Sequence, residues 1–167
     1  MKKEQIQKNG FTLVEILIVV AILAIAMAMA VPMFSGAADF QLQSGANMIA
    51  ADLEYAKSMA ISTQQQHGVI FDTGAETYSV VNSSDTPLSH PVKKGFPYTI
   101  DFSADSRLNR VDLKTAPSKI YFDSMGNPLD ASFAAMTVAA TITLEQKGGG
   151  STMTITIEPV TGYIRIQ

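Results

Sequence analysis

A single carboxylate lies inside the most apolar stretch of this 167-residue sequence. Glu15 follows Leu13 and Val14 and precedes the segment from Ile16 to Val31, in which every side chain is apolar. An acid at the centre of a membrane helix costs about 2.5 to 3.5 kcal/mol, whereas each Leu, Ile, Val or Phe contributes about −0.3 to −0.6 kcal/mol. Insertion into a membrane therefore stays favourable, but the acid gains nothing from this environment by itself.

Few other residues could carry out catalysis or bind a metal. The sequence has no Cys, and neither His67 nor His90 has a second His at metal-ligand spacing. Serines are plentiful near both histidines, but none lies in a nucleophile-elbow motif. We therefore expect no catalytic residue, no metal site and no cofactor, and we interpret both histidines as structural or solvent-facing residues.

One segment offers oxygen ligands around a glycine turn. Residues 123–130 contain Asp123 and Asp130 as carboxylates and Asn127 as an amide side chain. Calcium needs six to eight oxygen ligands, and the twelve-residue EF-hand pattern is absent from this segment. A plain turn is the favoured interpretation, with a calcium site as the alternative.

The basic residues of the second half are candidates for a nucleic-acid surface. Arg107, Arg110, Lys114 and Lys119 are close in sequence but stand among acidic neighbours, and Arg165 is the one arginine near the carboxyl end. A surface that follows a phosphate backbone normally needs several adjacent cations. Solvated surface is the favoured interpretation, and nucleic acid is an unlikely partner.

A long amino-terminal helix must position Glu15. At about 1.5 Å per residue, residues 11–34 form a helix of roughly 36 Å, which can cross a hydrocarbon core of about 30 Å. The preceding residues 1–10 carry Lys2, Lys3 and Lys8. By the positive-inside rule these cations stay in the cytoplasm, so the chain is predicted to cross a membrane once, with its carboxyl-terminal domain on the far side.

The hexapeptide from Gly10 to Glu15, G-F-T-L-V-E, follows a Lys-bearing leader and opens the apolar helix. This arrangement resembles the amino terminus of type IV pilins and type II secretion pseudopilins. The resemblance implies that a prepilin peptidase cuts between Gly10 and Phe11 and methylates the new amine of Phe11. It also implies that Glu15 meets the free amine of a neighbouring subunit, a pairing that offsets part of the desolvation penalty of both charges.

Further partners follow from the same resemblance. Before assembly the helix is expected to lie in the lipid of the inner membrane, crossing it once, with the amino terminus in the cytoplasm and the carboxyl-terminal domain in the periplasm. Afterwards it is expected to contact other pilin-like subunits, brought together by an inner-membrane assembly platform. A secretory signal cleaved after Ala28-Met29-Ala30 is a rival interpretation, but Glu15 and the length of the apolar span argue against it. A simple membrane anchor is another rival, and it leaves the Gly10-Phe11 pair unexplained.

Helical periodicity continues beyond the apolar segment. Pro32 removes one intrahelical hydrogen bond, so a kink or local melting of the helix is predicted there. Residues 35–68 are predicted to form an amphipathic helix that ends at His67-Gly68. Its apolar face is formed by Leu42, Ala46, Ile49, Leu53, Ala56 and Ala60.

From residue 69 onward the hydrophobic period changes to two, which is typical of strands. A hairpin is predicted around residues 72–76, between strands at 69–71 and 78–81, and a long loop at 82–97. Further strands are predicted at 98–102, 107–113, 119–122, 137–146, 152–158 and 163–167.

Together these elements predict an α+β, pilin-like fold, in which a long amino-terminal α-helix precedes an antiparallel β-sheet domain. The helix has a transmembrane half and an amphipathic half. The predicted parts of the chain are a cleaved leader (1–10), a transmembrane or filament-core helix (11–34), an amphipathic helix (35–68) and a β domain (69–167).

Looser motifs at 52–60, 69–71, 120–126 and 159–164 resemble the H-type minor pseudopilins and related minor pilins of pilus tips. The resemblance implies a non-enzymatic minor subunit of a type II secretion pseudopilus or a type IV pilus, near the tip. A tip adhesin or DNA-receiving minor pilin is one alternative, and a major filament subunit is another.

Overall fold

The computed structural model describes residues 11–167, apart from the side chains of residues 28–37. The leader predicted at residues 1–10 lies outside the described residues. Contacts divide the chain after Ala37 into an amino-terminal unit and a compact carboxyl-terminal unit. In the described residues one α-helix, α1 (Leu13–Thr63), precedes nine strands, which confirms the predicted α+β order of elements.

The course of α1 differs from the prediction at two places. The helix assignment is continuous through Pro32, so local melting is not found there, whereas a kink stays a prediction. The helix ends at Thr63, and Gln64 follows with a left-handed φ of 57°. The prediction that the helix reaches His67-Gly68 is wrong, because these residues begin strand β1 (His67–Asp72).

Gly68 is required by the packing of strands rather than by a helix end. A Cβ at this position would lie 2.2 Å from the carbonyl oxygen of Ile120 and 2.6 Å from Cδ1 of Tyr121. Tyr121 is also the antiparallel partner of Gly68. The tyrosine ring therefore occupies the space that a side chain on Gly68 would need.

The strands form two antiparallel sheets. The first contains β1 and four further strands: β2 (Thr77–Asn82), β3 (Thr99–Asp101), β5 (Lys119–Phe122) and β6 (Pro128–Leu129). Its order is β3-β2-β1-β5-β6. The second sheet contains β4 (Val111–Thr115), β7 (Ala140–Gln146), β8 (Thr152–Ile157) and β9 (Ile164–Ile166), in the order β4-β7-β8-β9.

The predicted strands are confirmed except near some of their ends. Residues 107–110 form a turn and not the start of β4, because Asp105 organises them: its Oδ1 accepts a hydrogen bond from the backbone N–H of Arg107 at 2.9 Å. Residues 137–139 likewise precede β7. β6 was not predicted, since a strand of two residues carries no periodic signal.

The core of the carboxyl-terminal unit joins α1 to the inner faces of both sheets. The six residues of the predicted apolar face of the helix are all buried, and none is more than 2% exposed. In β8, Ile155 and Ile157 are fully buried, whereas on the opposite face Thr152 and Thr154 reach solvent and Thr156 is 8% exposed. The amphipathic helix and the alternating strands therefore bury the faces that their periodicity predicts.

Candidate functional site in the amino-terminal helix

The first turn of α1 is built on a capping pattern. The Thr12 side-chain Oγ1 accepts a hydrogen bond from the backbone N–H of Glu15 at 3.2 Å, and the Thr12 carbonyl accepts one from Ile16 at 3.2 Å. Thr12 thus satisfies one of the free N–H groups that every helix start presents. Thr12 is not among the site residues predicted above, and its sequence signal is the Thr-x-x-Glu spacing.

The same turn brings Phe11 and Glu15 together at one end of the helix, while Pro32 lies about 25 Å further along it. The side chain of Phe11 is 78% exposed, and Glu15 is exposed as well. An acid in the first turn is stabilised by the partial positive charge of the helix start. Gly10, the other residue of the predicted cleavage site, lies outside the described residues. Phe11 and Glu15 are therefore both open to contact with another molecule.

The helix that carries this turn is apolar on every side. All residues from Phe11 to Met27 are exposed, among them Leu13, Val14, Ile16, Leu17, Ile18, Val19, Val20, Ile22, Leu23 and Ile25. Such a helix is normally covered by lipid or by other helices. Within the described residues, no helical segment combines the length and the apolar character that a membrane crossing requires.

The basic residues considered for nucleic-acid binding are mostly paired with carboxylates and lie on different elements. Two pairs involve neighbouring parts of the second sheet: Lys114–Glu145 at 2.8 Å and Arg165–Glu158 at 3.5 Å. Two more are Arg107–Asp105 at 2.6 Å and Lys119–Asp85 at 2.5 Å. The hydrogen bond from Arg107 is the main cause that lowers the pKa of Asp105. This arrangement does not form the row of adjacent cations that a phosphate backbone attracts.

The carboxylates considered for calcium serve turns instead. Asp123 Oδ1 accepts backbone hydrogen bonds from Met125 and Asn127, both at 2.8 Å. Asp130 Oδ1 accepts one from the backbone N–H of Ser132 at 2.8 Å and one from its hydroxyl at 2.7 Å. No group of three or more metal-ligating side chains occurs among the described residues. The geometry supports the plain-turn interpretation.

Both histidines hold local structure. His67 is 4% exposed at the start of β1, and its Nδ1 lies 3.1 Å from the carbonyl oxygen of Gln65. His90 Nδ1 accepts backbone hydrogen bonds from Val92 at 3.1 Å and Lys93 at 3.2 Å. His67 Nδ1 also lies 3.4 Å from the hydroxyl of Thr63 at the end of α1. Both rings therefore contact neighbouring turns of the backbone.

A buried carboxylate, Asp52, joins α1 to the first sheet. The hydroxyl of Tyr78 donates to its Oδ2 at 2.6 Å, and the hydroxyl of Tyr98 donates to its Oδ1 at 2.5 Å. Asp52 is only 7% exposed, and burial raises its pKa although the two tyrosines favour the ionised form. The cluster was not predicted from sequence, where Asp52 stands off the apolar face of the helix.

Alkaline pH is expected to destabilise the carboxyl-terminal unit through its buried tyrosines. Burial first, and then the neighbouring carboxylate, raises the pKa of Tyr78, Tyr98 and Tyr121 above the usual value of 10.0. The folded state thus holds these protons more tightly than the unfolded state. Their contribution to stability is complete below about pH 10 and is lost as the pH rises further. The urea midpoint should therefore fall between about pH 10 and pH 12.

The Tyr78→Phe variant should show a shallower alkaline decline, because one of these protons is removed. Tyr163→Phe is the matched control, since Tyr163 is 60% exposed. Urea titrations over this pH range, followed by circular dichroism, measure the effect. An equally steep decline in the Tyr78→Phe protein would contradict this account.

Two family models match the chain. A model described as Prokaryotic N-terminal methylation motif matches residues 7–31, which include the hexapeptide and most of the apolar run. A model described as Type II transport protein GspH matches residues 45–161, which is more than half of the chain. A comparison with curated proteins gives no match.

Solved structures share the fold. The minor pseudopilin EpsH from the Type 2 Secretion System of Vibrio cholerae is similar with a TM-score of 0.53 and 15% identity, over 76% of this chain and 96% of that one. The type IV minor pilin FimU of Pseudomonas aeruginosa strain PAO1 is similar with a TM-score of 0.51 and 18% identity, over 75% and 87%. These likenesses show the pilin-like fold. With the longer family match, they lead to one conclusion: the chain belongs to the type II transport protein GspH family of pilin-like subunits.

Proposed function

We propose that this chain is a minor subunit of a type II secretion pseudopilus and is incorporated near the tip. The match to the methylation motif supports cleavage between Gly10 and Phe11 by a prepilin peptidase, followed by methylation of Phe11. The longer family match supports the secretion machine. The observation that carries the proposal is the apolar helix, exposed on every side, with the single acid Glu15 in its first turn.

The exposed apolar helix must be shielded from water first by lipid and later by other protein helices. Before assembly, lipid of the inner membrane covers it, with the amino terminus in the cytoplasm and the carboxyl-terminal domain in the periplasm. During assembly the inner-membrane platform transfers it to a filament, where helices of other pilin-like subunits replace the lipid. Glu15 then pairs with the amine of Phe11 on a neighbouring subunit, which relieves part of the desolvation penalty of both charges.

The mature chain is expected to begin at Phe11, to carry a methylated amine and to stay in the membrane fraction before assembly. Intact-mass spectrometry of detergent-extracted protein measures all three properties. A Gly10→Leu variant, in which a branched side chain occupies the cleavage site, should keep the mass of the leader. A soluble species that begins at Val31 would contradict the proposal and support cleavage as a secretory signal.

A type IV pilus is the second candidate machine, because the fold is also that of the minor pilin FimU. Deletion of the gene, with exoprotein release, twitching and DNA uptake assayed in parallel, distinguishes the two. Loss of exoprotein release alone is expected. Loss of twitching or DNA uptake alone would assign the chain to a pilus, and loss of none would contradict a role in either machine.

Two alternatives concern the place of the subunit rather than its machine. A major filament subunit would be abundant in sheared filaments, whereas a minor one is expected in trace amounts by quantitative mass spectrometry. A tip adhesin or DNA-receiving pilin is the other alternative. DNA binding is disfavoured, because the basic side chains considered for it are paired with carboxylates: Arg107, Lys114, Lys119 and Arg165.

A further inference from the structure

The first sheet ends in a short edge strand, β3, which pairs only with β2 in the described residues. Ladder hydrogen bonds flank β3 at both ends: Val80 N–H donates to the carbonyl of Tyr98, and Phe102 N–H donates to that of Glu76, each at 3.0 Å. In an antiparallel ladder the residues alternate between facing the partner and facing away. The middle residue, Ile100, thus directs its backbone N–H and carbonyl toward β2. The two outer residues, Thr99 and Asp101, direct theirs outward.

Half of these outward groups are already satisfied. Thr99 N–H donates to the carbonyl of Pro97 at 2.9 Å, and the carbonyl of Asp101 accepts from Asp105 N–H at 3.1 Å. The Thr99 carbonyl and the Asp101 N–H have no partner among the described residues. If a strand is added parallel to β3, one of its residues can donate its N–H to the Thr99 carbonyl and accept the Asp101 N–H at its own carbonyl.

A groove runs beside this edge. One cleft of about 410 Å³ is lined by His90, Lys93, Phe96, Pro97 and Thr99. A second cleft of about 480 Å³ continues along β3 to the turn at residues 104–107. Two carboxylates line it, and both are already engaged: Asp101 accepts hydrogen bonds from Ser103, and Asp105 pairs with Arg107. Lys93 and Thr99 line both clefts, so the two adjoin beside the edge of β3 and together form one groove.

The rim of the groove combines apolar and cationic side chains. Val92 is 83% exposed and Phe96 is 66% exposed, and Lys93 and Lys94 lie between them in the chain, also exposed. Neither lysine forms an ion pair within the described residues. On a chain with a net charge of −3, this rim is a local site of attraction for carboxylates.

The loop that carries the rim is held in place before any partner arrives. His90 N–H donates to the carbonyl of Phe96 at 2.9 Å, while the His90 ring accepts the backbone N–H groups of Val92 and Lys93. The same ring lies 4.6 Å from that of Tyr98. A surface fixed in this way loses little conformational entropy on binding.

We propose that the outer edge of β3 and the loop at residues 90–97 bind an extended acidic segment of another protein by strand addition. The segment runs parallel to β3. Its apolar side chains lie against Phe96, and its carboxylates meet Lys93 and Lys94. No residue of this surface belongs to the apolar segment of the helix, so the proposal does not rest on the filament role.

The chain contains no Trp, so a Phe96→Trp variant gives a single fluorescent reporter at the groove. The full-length variant in detergent micelles is titrated with a blocked six-residue peptide of alternating valine and glutamate. The same peptide with N-methylated backbone amides cannot add as a strand, and a valine–lysine peptide reverses its charge. A Phe40→Trp variant, at a residue 78% exposed on α1, controls for effects away from the groove.

We expect the valine–glutamate peptide to change the emission of the Phe96→Trp protein and not that of the Phe40→Trp protein. N-methylation should weaken binding by about tenfold or more, and so should Lys93→Glu combined with Lys94→Glu. Lys114→Glu, at an exposed lysine on the other sheet, should leave binding unchanged. Salt should weaken binding.

Equal binding of the methylated and unmethylated peptides would overturn strand addition. An unchanged affinity after reversal of both lysines would overturn the charge match. Absence of any response to the peptide in a protein with an unchanged circular dichroism spectrum would overturn the proposal as a whole. So would a blue shift seen only with phosphatidylglycerol vesicles, which would assign the rim to a membrane surface.

Discussion

The Glu15→Val variant is expected to enter the membrane normally and to be lost from filaments. Insertion should be unimpaired, because removal of an intramembrane acid saves about 2.5 to 3.5 kcal/mol. Assembly should fail, because the amine of the neighbouring Phe11 is then left unpaired in an apolar core. Removal of one partner from a buried pair costs about 3 to 5 kcal/mol. Since about 1.4 kcal/mol corresponds to a tenfold change, incorporation should drop by roughly 100-fold or more.

Crosslinking to other pilin-like subunits and quantification in sheared filaments measure this loss. Val14→Ala is the matched control, since it changes the neighbouring position and leaves the carboxylate in place. Glu15→Asp, which keeps the charge on a shorter side chain, should recover part of the incorporation. Undiminished crosslinking of the Glu15→Val protein would show that the pairing role is wrong.

The Gly68→Ala variant is expected to lose about 3 kcal/mol of its folded stability. The added Cβ would lie 2.2 Å from a backbone oxygen and 2.9 Å from a backbone Cα, and neither atom can move away as a flexible side chain can. β1 and β5 would have to separate at the centre of the first sheet. Overpacking of a well-packed site typically costs about 1 to 3 kcal/mol, and this backbone clash belongs at the upper end of that range.

Gly74→Ala is the control for the glycine-to-alanine change itself. A Cβ on Gly74 meets only the Asp72 side chain, at 3.4 Å, which is ordinary contact. Urea unfolding of both variants, followed by circular dichroism, should give a lower midpoint for Gly68→Ala alone. Equal midpoints would mean that the two strands separate without cost at this point.

Local signals carried most of what the sequence predicted. The step of three or four between Leu42, Ala46 and Ile49 is repeated along the helix and fixes its buried face. In the second sheet, the alternation of apolar and polar residues along the strands predicts which face of each strand is buried. The candidate site also rests on a local signal, because Gly10, Phe11 and Glu15 form one short motif, and the roles given to these residues stay predictions. The helix cap, Thr12, lies within that motif as well.

The features that sequence did not predict depend on residues that are far apart in the chain. Asp52 is separated by 26 residues from Tyr78 and by 46 from Tyr98, so no periodicity relates the three. Gly68 was assigned to a helix end because a glycine after a helical pattern is normally a cap. Its actual role depends on Tyr121, which reaches it only once β1 and β5 have paired.

The link between Asp52 and the two tyrosines also decides which arrangements of the unit are unfavourable. The apolar face of α1 contains several alanines and could pack against the sheets with the helix rotated or shifted by one turn. In any such arrangement the Asp52 carboxylate would be removed from both hydroxyls while still facing the interior, and an unpaired buried charge is strongly penalised. The carboxylate therefore selects a single rotational setting of the helix. The apolar side chains beside it discriminate only weakly between one setting and another.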